Sequence, residues 1–360
     1  MTLKLEQVES DLSHDLRVAW RSPSNIAIIK YWGKKAQQIP QNPSLSLTLS
    51  NAFTETEIHL KNKKSAKKDP ELEFLFEGQT QTEFKQKIKR YLQSMKEELA
   101  WINDFDMRIY SHNSFPHSAG IASSASSMSA LTLGLAQLEA QVKGHTLSQK
   151  DFLQRASYLA RLASGSACRS IYGPWVAWGE NKSLKESSSH WGSPIRIKVH
   201  EIFQGLRDSI LIIDSKAKEV SSRAGHQLMQ EHPFASARYE QARKNFKKVL
   251  KTLETGDWDG FASIAESEAL TLHSLMMSSA KPFILMNPNT LQCIEKIWDF
   301  RNQNKVPLCF SLDAGPNLHL LYPKLVHNTV KAFIDQELRK FCEMQKVLHD
   351  HSGSGPKEIL

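Results

Sequence analysis

The chain has 360 residues, 40% hydrophobic and 23% charged, and Lys plus Arg exceed Asp plus Glu by 46 − 38 = 8. That length suits about two domains of roughly 150 residues each with ample core, the composition is that of a soluble globular protein, and no apolar run approaches the roughly 18 residues that cross a bilayer. The cationic excess favours anionic partners such as nucleic acid, a membrane surface or a phosphorylated metabolite, but it is dispersed, with no stripe of arginine interleaved with aromatics, which argues against nucleic acid.

In chain order, "MTLKLEQVESDLSHDLRVAW" mixes acids and bases without an apolar h-region, so no secretory signal is expected. An apolar strand in "SPSNIAIIKYWGKK" (22–35) then runs straight into Lys30, Tyr31, Trp32, Gly33 and Lys34. A lysine at a buried strand end is costly unless an anion meets it or the side chain snorkels to water. "LSLTL" (45–49) alternates as a half-buried strand does, and the five lysines of "KNKKSAKK" (61–68) read as a solvated loop. Residues 84–99 place Phe84, Ile88, Tyr91, Leu92, Met95 and Leu99 on one helical face.

The segment "NSFPHSAGIASSASSMSALTLGLAQL" (113–138) places Pro116, Gly120, Ser123 and Ser124 ahead of a helical pattern. Small side chains there let an anion approach the unsatisfied N–H groups of a first helical turn, although an ordinary Ser-capped helix has the same look. Neither GxxxxGK[ST] nor GxGxxG occurs. Another helix carries Phe152, Leu153, Ala156, Leu159 and Ala160. After it, "RLASGSACRSIYGPW" (161–175) offers Ser164, Ser166 and Arg169 as possible phosphate ligands, with a helix-capping arginine as the alternative. Cys168 has no evident partner base and reads as packing. The four cysteines are widely spaced without metal-type companions, so neither a disulfide framework nor a zinc site is expected and the cytoplasm is the default compartment.

A composition break near residue 203 marks a domain boundary. Beyond it come a buried strand, "SILIID" (209–214), and a helix carrying Ala242, Phe246, Val249, Leu250 and Leu253 that stops at Gly256. Helices over 260–276 and 290–303 follow, then two apolar runs flanking the turn "DAGPN" around Asp313, and a last helix with Val330, Phe333, Ile334, Leu338 and Phe341. Alone, Asp313 looks like turn chemistry. The tail "HSGSGPKEIL" reads as disordered. Strands mixed with helices without a regular βαβ rhythm give an α+β class.

Taken together, "NIAIIKYWGK", "NSFPHSAGIASSAS", "SGSACRS" and "SLDAGPN", extended by "VSSRAG" (220–225) and "SEALTLHSLM" (267–276), resemble the signature segments of diphosphomevalonate decarboxylases in the GHMP kinase superfamily, in order over most of 18–345. The resemblance implies a two-domain GHMP kinase fold. Residues 1–202 would form a domain like ribosomal protein S5 domain 2, residues 203–345 a ferredoxin-like domain, and 346–360 a disordered tail. It implies ATP-dependent decarboxylation of mevalonate 5-diphosphate by C3-hydroxyl phosphorylation and elimination, with ATP and Mg2+, in a cytoplasmic homodimer that binds neither nucleic acid nor membrane. Asp313, Lys30 and Arg169 would be catalytic. Tyr31, Lys34, Ser164, Ser166, Ser222 and Arg223 would bind substrate, and Asn113, Pro116, Gly120, Ser123 and Ser124 would bind ATP, with Mg2+ held mainly through its phosphates. Departures such as Pro43, His117, Ser118 and Ala163 touch none of the residues given a chemical role. A related kinase acting without elimination, or a phosphomevalonate decarboxylase, is the nearest alternative; a nucleic-acid-binding protein with an S5-like domain is a remote one.

Overall fold

The computed structural model describes residues 15–63, 71–115, 123–215 and 222–360, with 222–224 described by backbone alone. Its first half is built on two long antiparallel strands, β1 (Leu16–Ile29) and β2 (Ser44–Asn62). Their alternation gives way to burial on both faces at 24–29 and 44–49, where the second half of the chain covers them. Strands β3 (Leu72–Phe76), β4 (Gln79–Thr80) and β5 (Phe105–Asn113) extend one side, with β3 parallel to β5. The short β6 (Trp175–Trp178) and β7 (Ser193–Pro194) add on through β2.

Three helices cover one face: α1 (Thr82–Ser94), α2 (Ser123–Val142) and α3 (Gln149–Ala163). Helix α1 stops at Ser94 although its apolar spacing continues to Leu99, and Met95 and Leu99 are buried from the turns beyond. Helix α2 is buried almost all round, as suits a central helix.

The second half begins at β8 (Arg207–Leu211) and continues through α4 (Ser222–Leu228), α5 (Ala235–Thr255), α6 (Trp258–Met277) and α7 (Pro288–Asn304). Strands β9 (Cys309–Leu312) and β10 (Leu318–Tyr322), helix α8 (His327–Phe333) and β11 (Val347–His351) complete it. The sheet order β11-β8-β10-β9, all antiparallel, is the ferredoxin-like β-α-β-β-α-β arrangement. The last helix is shorter than its apolar pattern. It passes into a π turn at Ile334–Leu338 and a 3-10 turn at Arg339–Phe341, which still bury Ile334 and Leu338.

The two halves pack against each other. Ile26, Ile28 and Leu47 of the first sheet share one core with Ile210 and Leu321 of the second and with Phe246 of α5, so the seam between halves is itself hydrophobic core.

The tail corrects the sequence expectation of disorder. Residues 347–351 form β11, and β12 (Lys357–Glu358) returns to pair with β1 of the first sheet. Within β11 the carboxylate of Asp350 accepts the backbone N–H groups of Ser50, Asn51 and Ala52 at 2.9, 2.8 and 2.7 Å. The glycines serve close approach here: a Cβ on Gly353 would lie 2.1 Å from the Leu49 carbonyl oxygen. A low-hydrophobicity segment is therefore held by pairing and backbone contact.

Candidate active site

The buried run of β1 ends on Lys30, whose side chain is 2% exposed. Its ammonium donates to Ser311 Oγ at 2.8 Å and to Asp313 Oδ1 at 3.1 Å, which settles how a lysine tolerates that position. Burial pulls the Lys30 pKa down, and the Asp313 carboxylate opposes that pull. Ser311 lies in β9 and Asp313 in the turn that follows, so the pair joins the two halves of the chain.

The "DAGPN" turn is anchored around its length. Gly315 N–H donates to the Asp313 carbonyl at 2.8 Å, and a ring nitrogen of His273 in α6 lies 3.0 Å from the same oxygen. Thr290 Oγ1 donates to the Pro316 carbonyl at 2.8 Å. Asn317 Oδ1 accepts from Ile213 N–H and Asp214 N–H at 2.7 and 3.0 Å. Turn residues thus hold the acid in place while its side chain stays 28% exposed.

Arg169 lies in a 3-10 segment, Gly165–Ile171, and is 2% exposed. Its guanidinium donates to Ser46 Oγ at 2.6 Å and Ser44 Oγ at 2.9 Å and lies 5.7 Å from a ring centroid of Trp178. Among the described residues no carboxylate lies within ion-pair distance of it. Its charge nonetheless reaches Lys30, and that of Asp313 reaches Arg169, so the three groups share one electrostatic site. Ser44 and Ser46 were missed from sequence; the signal was two serines on alternate positions of a strand that proves buried on both faces.

Tyr31 packs between Trp178 and His226, with ring centroids 4.6 and 4.2 Å away, and its buried hydroxyl has no partner among the described residues. Gly165 permits this approach, because a Cβ there would lie 2.9 Å from both Tyr31 and Trp178. His226 Nδ1 accepts the Gly33 N–H at 3.0 Å, and burial drops its pKa to about 3. Lys34 is half-buried and donates to Gln38 Oε1 at 2.8 Å. Ser164 and Ser166 are half-buried beside Arg169, and the Ser166 carbonyl accepts from Asn25 at 3.4 Å. Cys168 is buried with its thiol pushed up to about 12, an unreactive state.

Ser123 and Ser124 open α2. Asn113, at the end of β5, accepts from Thr54 Oγ1 at 2.7 Å, and Thr54 is also 2.7 Å from Ser126 Oγ, which links the strand end to the first turn of α2. Asn113 has no contact with Lys30, Asp313 or Arg169 among those described. Pro116 and Gly120 lie outside the described residues, as do the side chains of Ser222 and Arg223, whose backbone begins α4.

Sequence reasoning also missed Glu268 and Arg238. Glu268 accepts the backbone N–H of Lys30 at 2.9 Å and is itself gripped by Arg238 at 2.8 and 2.5 Å. Glu268 stands in the signature segment "SEALTLHSLM" but is given no role there, and its pairing with Arg238 is visible only in the packing of α5 on α6.

Residues 22–190 match the family model described as diphosphomevalonate decarboxylase-like N-terminal domain, and 209–358 match mevalonate 5-diphosphate decarboxylase C-terminal domain. A diphosphomevalonate decarboxylase from Ganoderma lucidum is 30% identical over 326 residues, covering 84% of this chain and 77% of its own. A mevalonate diphosphate decarboxylase structure from Enterococcus faecalis superposes with a TM-score of 0.80 at 28% identity, over 96% of this chain and 99% of its own. A structure described as MDDEF in complex with MVAPP, AMPPCP and magnesium gives 0.81 at 28% identity, over 96% and 99%. Both halves match in order, and the fold brings the lysine of one against the aspartate of the other: the chain belongs to the diphosphomevalonate decarboxylase family.

Proposed function

We propose that the cleft around Lys30, Asp313 and Arg169 carries out the ATP-dependent decarboxylation of mevalonate 5-diphosphate to isopentenyl diphosphate, CO2, ADP and phosphate. The observation that carries this reading is Arg169, a buried guanidinium whose hydrogen-bond partners among the described residues are hydroxyls, beside a Lys–Asp pair. A buried cation without an acid is costly until an anion arrives, and this substrate brings a carboxylate and a diphosphate.

Asp313 orients the C3 hydroxyl and accepts its proton. A tertiary alcohol is a poor nucleophile, so fixed position carries much of the effect. Lys30 keeps Asp313 ionised and offsets the negative charge that grows in phosphoryl transfer. Arg169, with Ser164 and Ser166, holds the substrate's carboxylate or diphosphate end, and Tyr31, Lys34, Ser222 and Arg223 grip the diphosphate.

The nucleotide side fits ATP. The first turn of the 20-residue α2 presents unsatisfied N–H groups, and the buried hydroxyl of Ser127 has no partner among the described residues. Asn113, Pro116, Gly120, Ser123 and Ser124 would hold the phosphates there. When bound, MgATP supplies the phosphoryl group and the screening charge. The relative in complex with MVAPP, AMPPCP and magnesium supports the same ligand set.

The same reading divides the chain near residue 203, with an S5 domain 2-like first domain, and makes the protein a cytoplasmic homodimer. No described helix is long and apolar enough to cross a membrane. Light scattering checks the dimer as twice the monomer mass.

Incubation of purified protein with MgATP and, in turn, mevalonate, its 5-phosphate and its 5-diphosphate tests the reaction. CO2 and ADP appear together with the diphosphate alone. ADP without CO2 would make the protein a C3 kinase, and CO2 from the monophosphate would change the substrate.

A further inference from the structure

Lys30 is held by its backbone as well as its ammonium. Its N–H donates to Glu268 Oε2 at 2.9 Å, and its carbonyl accepts from Asn42 Nδ2 at 3.0 Å and Arg238 Nη2 at 3.4 Å. Arg238, in α5, and Glu268, in α6, form a two-pronged ion pair of 2.8 and 2.5 Å with side chains 1% and 0% exposed. Asn245 donates to Glu268 Oε1 at 2.8 Å.

Such a pair is a poor stabilising device, since taking two charges out of water offsets most of their attraction, and apolar replacements of similar volume are often neutral or better. What the pair does that an apolar patch could not is reach out of the second half and bond the two peptide groups flanking the Cα of Lys30. Fixing both removes the backbone freedom that would let the lysine ammonium wander from Asp313 and Ser311.

We propose that Arg238 and Glu268 are positioning residues for Lys30, retained to set its register across the seam between the halves and not for stability. This rests on the decarboxylase reading above. A displacement of about 1 Å at a reacting centre costs on the order of 100-fold in rate, so loss of the clamp should fall on kcat.

The test compares three variants with wild type, following CO2 and ADP release and thermal unfolding. The double variant Arg238→Met/Glu268→Leu removes the clamp without leaving a lone charge. It should unfold near the wild-type temperature, because the Lys30 N–H left without an acceptor offsets the relief from burying two charges, with kcat about 100-fold lower and both KM values little changed. Glu268→Gln and Glu268→Leu each leave Arg238 unpaired and should both unfold about 10 °C lower. Only the glutamine keeps an oxygen for the Lys30 N–H, so it should retain most of kcat while the leucine loses it. A folded double variant with wild-type kcat would overturn the proposal. So would equal kcat in the two single variants, which remain decisive if the double variant does not fold. A wild-type protein that releases no CO2 would overturn the decarboxylase reading instead, a distinct result.

Discussion

Lys30 and Arg169 are both buried cations at one site, yet they are satisfied in opposite ways. Lys30 meets a carboxylate and a hydroxyl of the opposite half, while among the described residues Arg169 donates hydrogen bonds to Ser44 and Ser46 and has no acid partner. The difference separates permanent machinery from an incomplete socket. On the function proposed above, a charge compensated within the protein is set before substrate arrives, and one left without an acid would be completed by the substrate.

The largest expected effect breaks the compensated side. Asp313→Asn should lower kcat by about 10³-fold or more, with ATP binding and fold near normal, as read by steady-state kinetics and nucleotide titration. Next comes the uncompensated side. Arg169→Gln should raise the KM for mevalonate 5-diphosphate and lower kcat by about 100-fold, while leaving Tm unchanged or higher, because it removes an unpaired buried charge. A large fall in Tm would mean that the two serines satisfy Arg169 without a ligand.

Asp350 shows a third arrangement, a carboxylate whose hydrogen bonds among the described residues come from backbone N–H groups. Asp350→Ala should cost about 2 kcal/mol of stability in denaturant unfolding with kcat hardly moved. His226 shows a fourth, in which the charge is left off. The folded protein resists its protonation down to about pH 3, whereas a free histidine accepts a proton near 6.5. The contribution of His226 to stability is therefore complete above pH 6.5 and is lost as pH falls from there toward 3. His226→Asn keeps an acceptor for the Gly33 N–H and should flatten the fall in Tm between pH 6.5 and 5, the smallest of these effects.

What was legible in the sequence follows the range of the forces involved. Helical periodicity is local, so the face of Ala242, Phe246, Val249, Leu250 and Leu253 is buried in α5 as its spacing implies. Lys30 stands out because it ends an apolar run, whereas Asp313 alone looks like turn chemistry and is singled out only by the family resemblance; the fold then sets the two 3.1 Å apart. Glu268 and Arg238 lie 30 residues apart on different helices, and although Glu268 stands in a signature segment, nothing local shows that the two pair. The tail misled for a related reason: its glycines and polar residues suit close backbone approach and strand pairing as well as disorder, and only the partner strands, far away in sequence, decide between them. The last helix shows the limit of periodicity, which places Ile334 and Leu338 in the core but not the π turn that carries them.

The most direct measurement of the central claim is the stoichiometry of CO2 to ADP from mevalonate 5-diphosphate and MgATP, taken for wild type and Asp313→Asn side by side. The account requires one CO2 per ADP in the wild type and neither product above background in the variant. ADP formed without CO2 in the wild type, or equal CO2 release by both proteins, would contradict it.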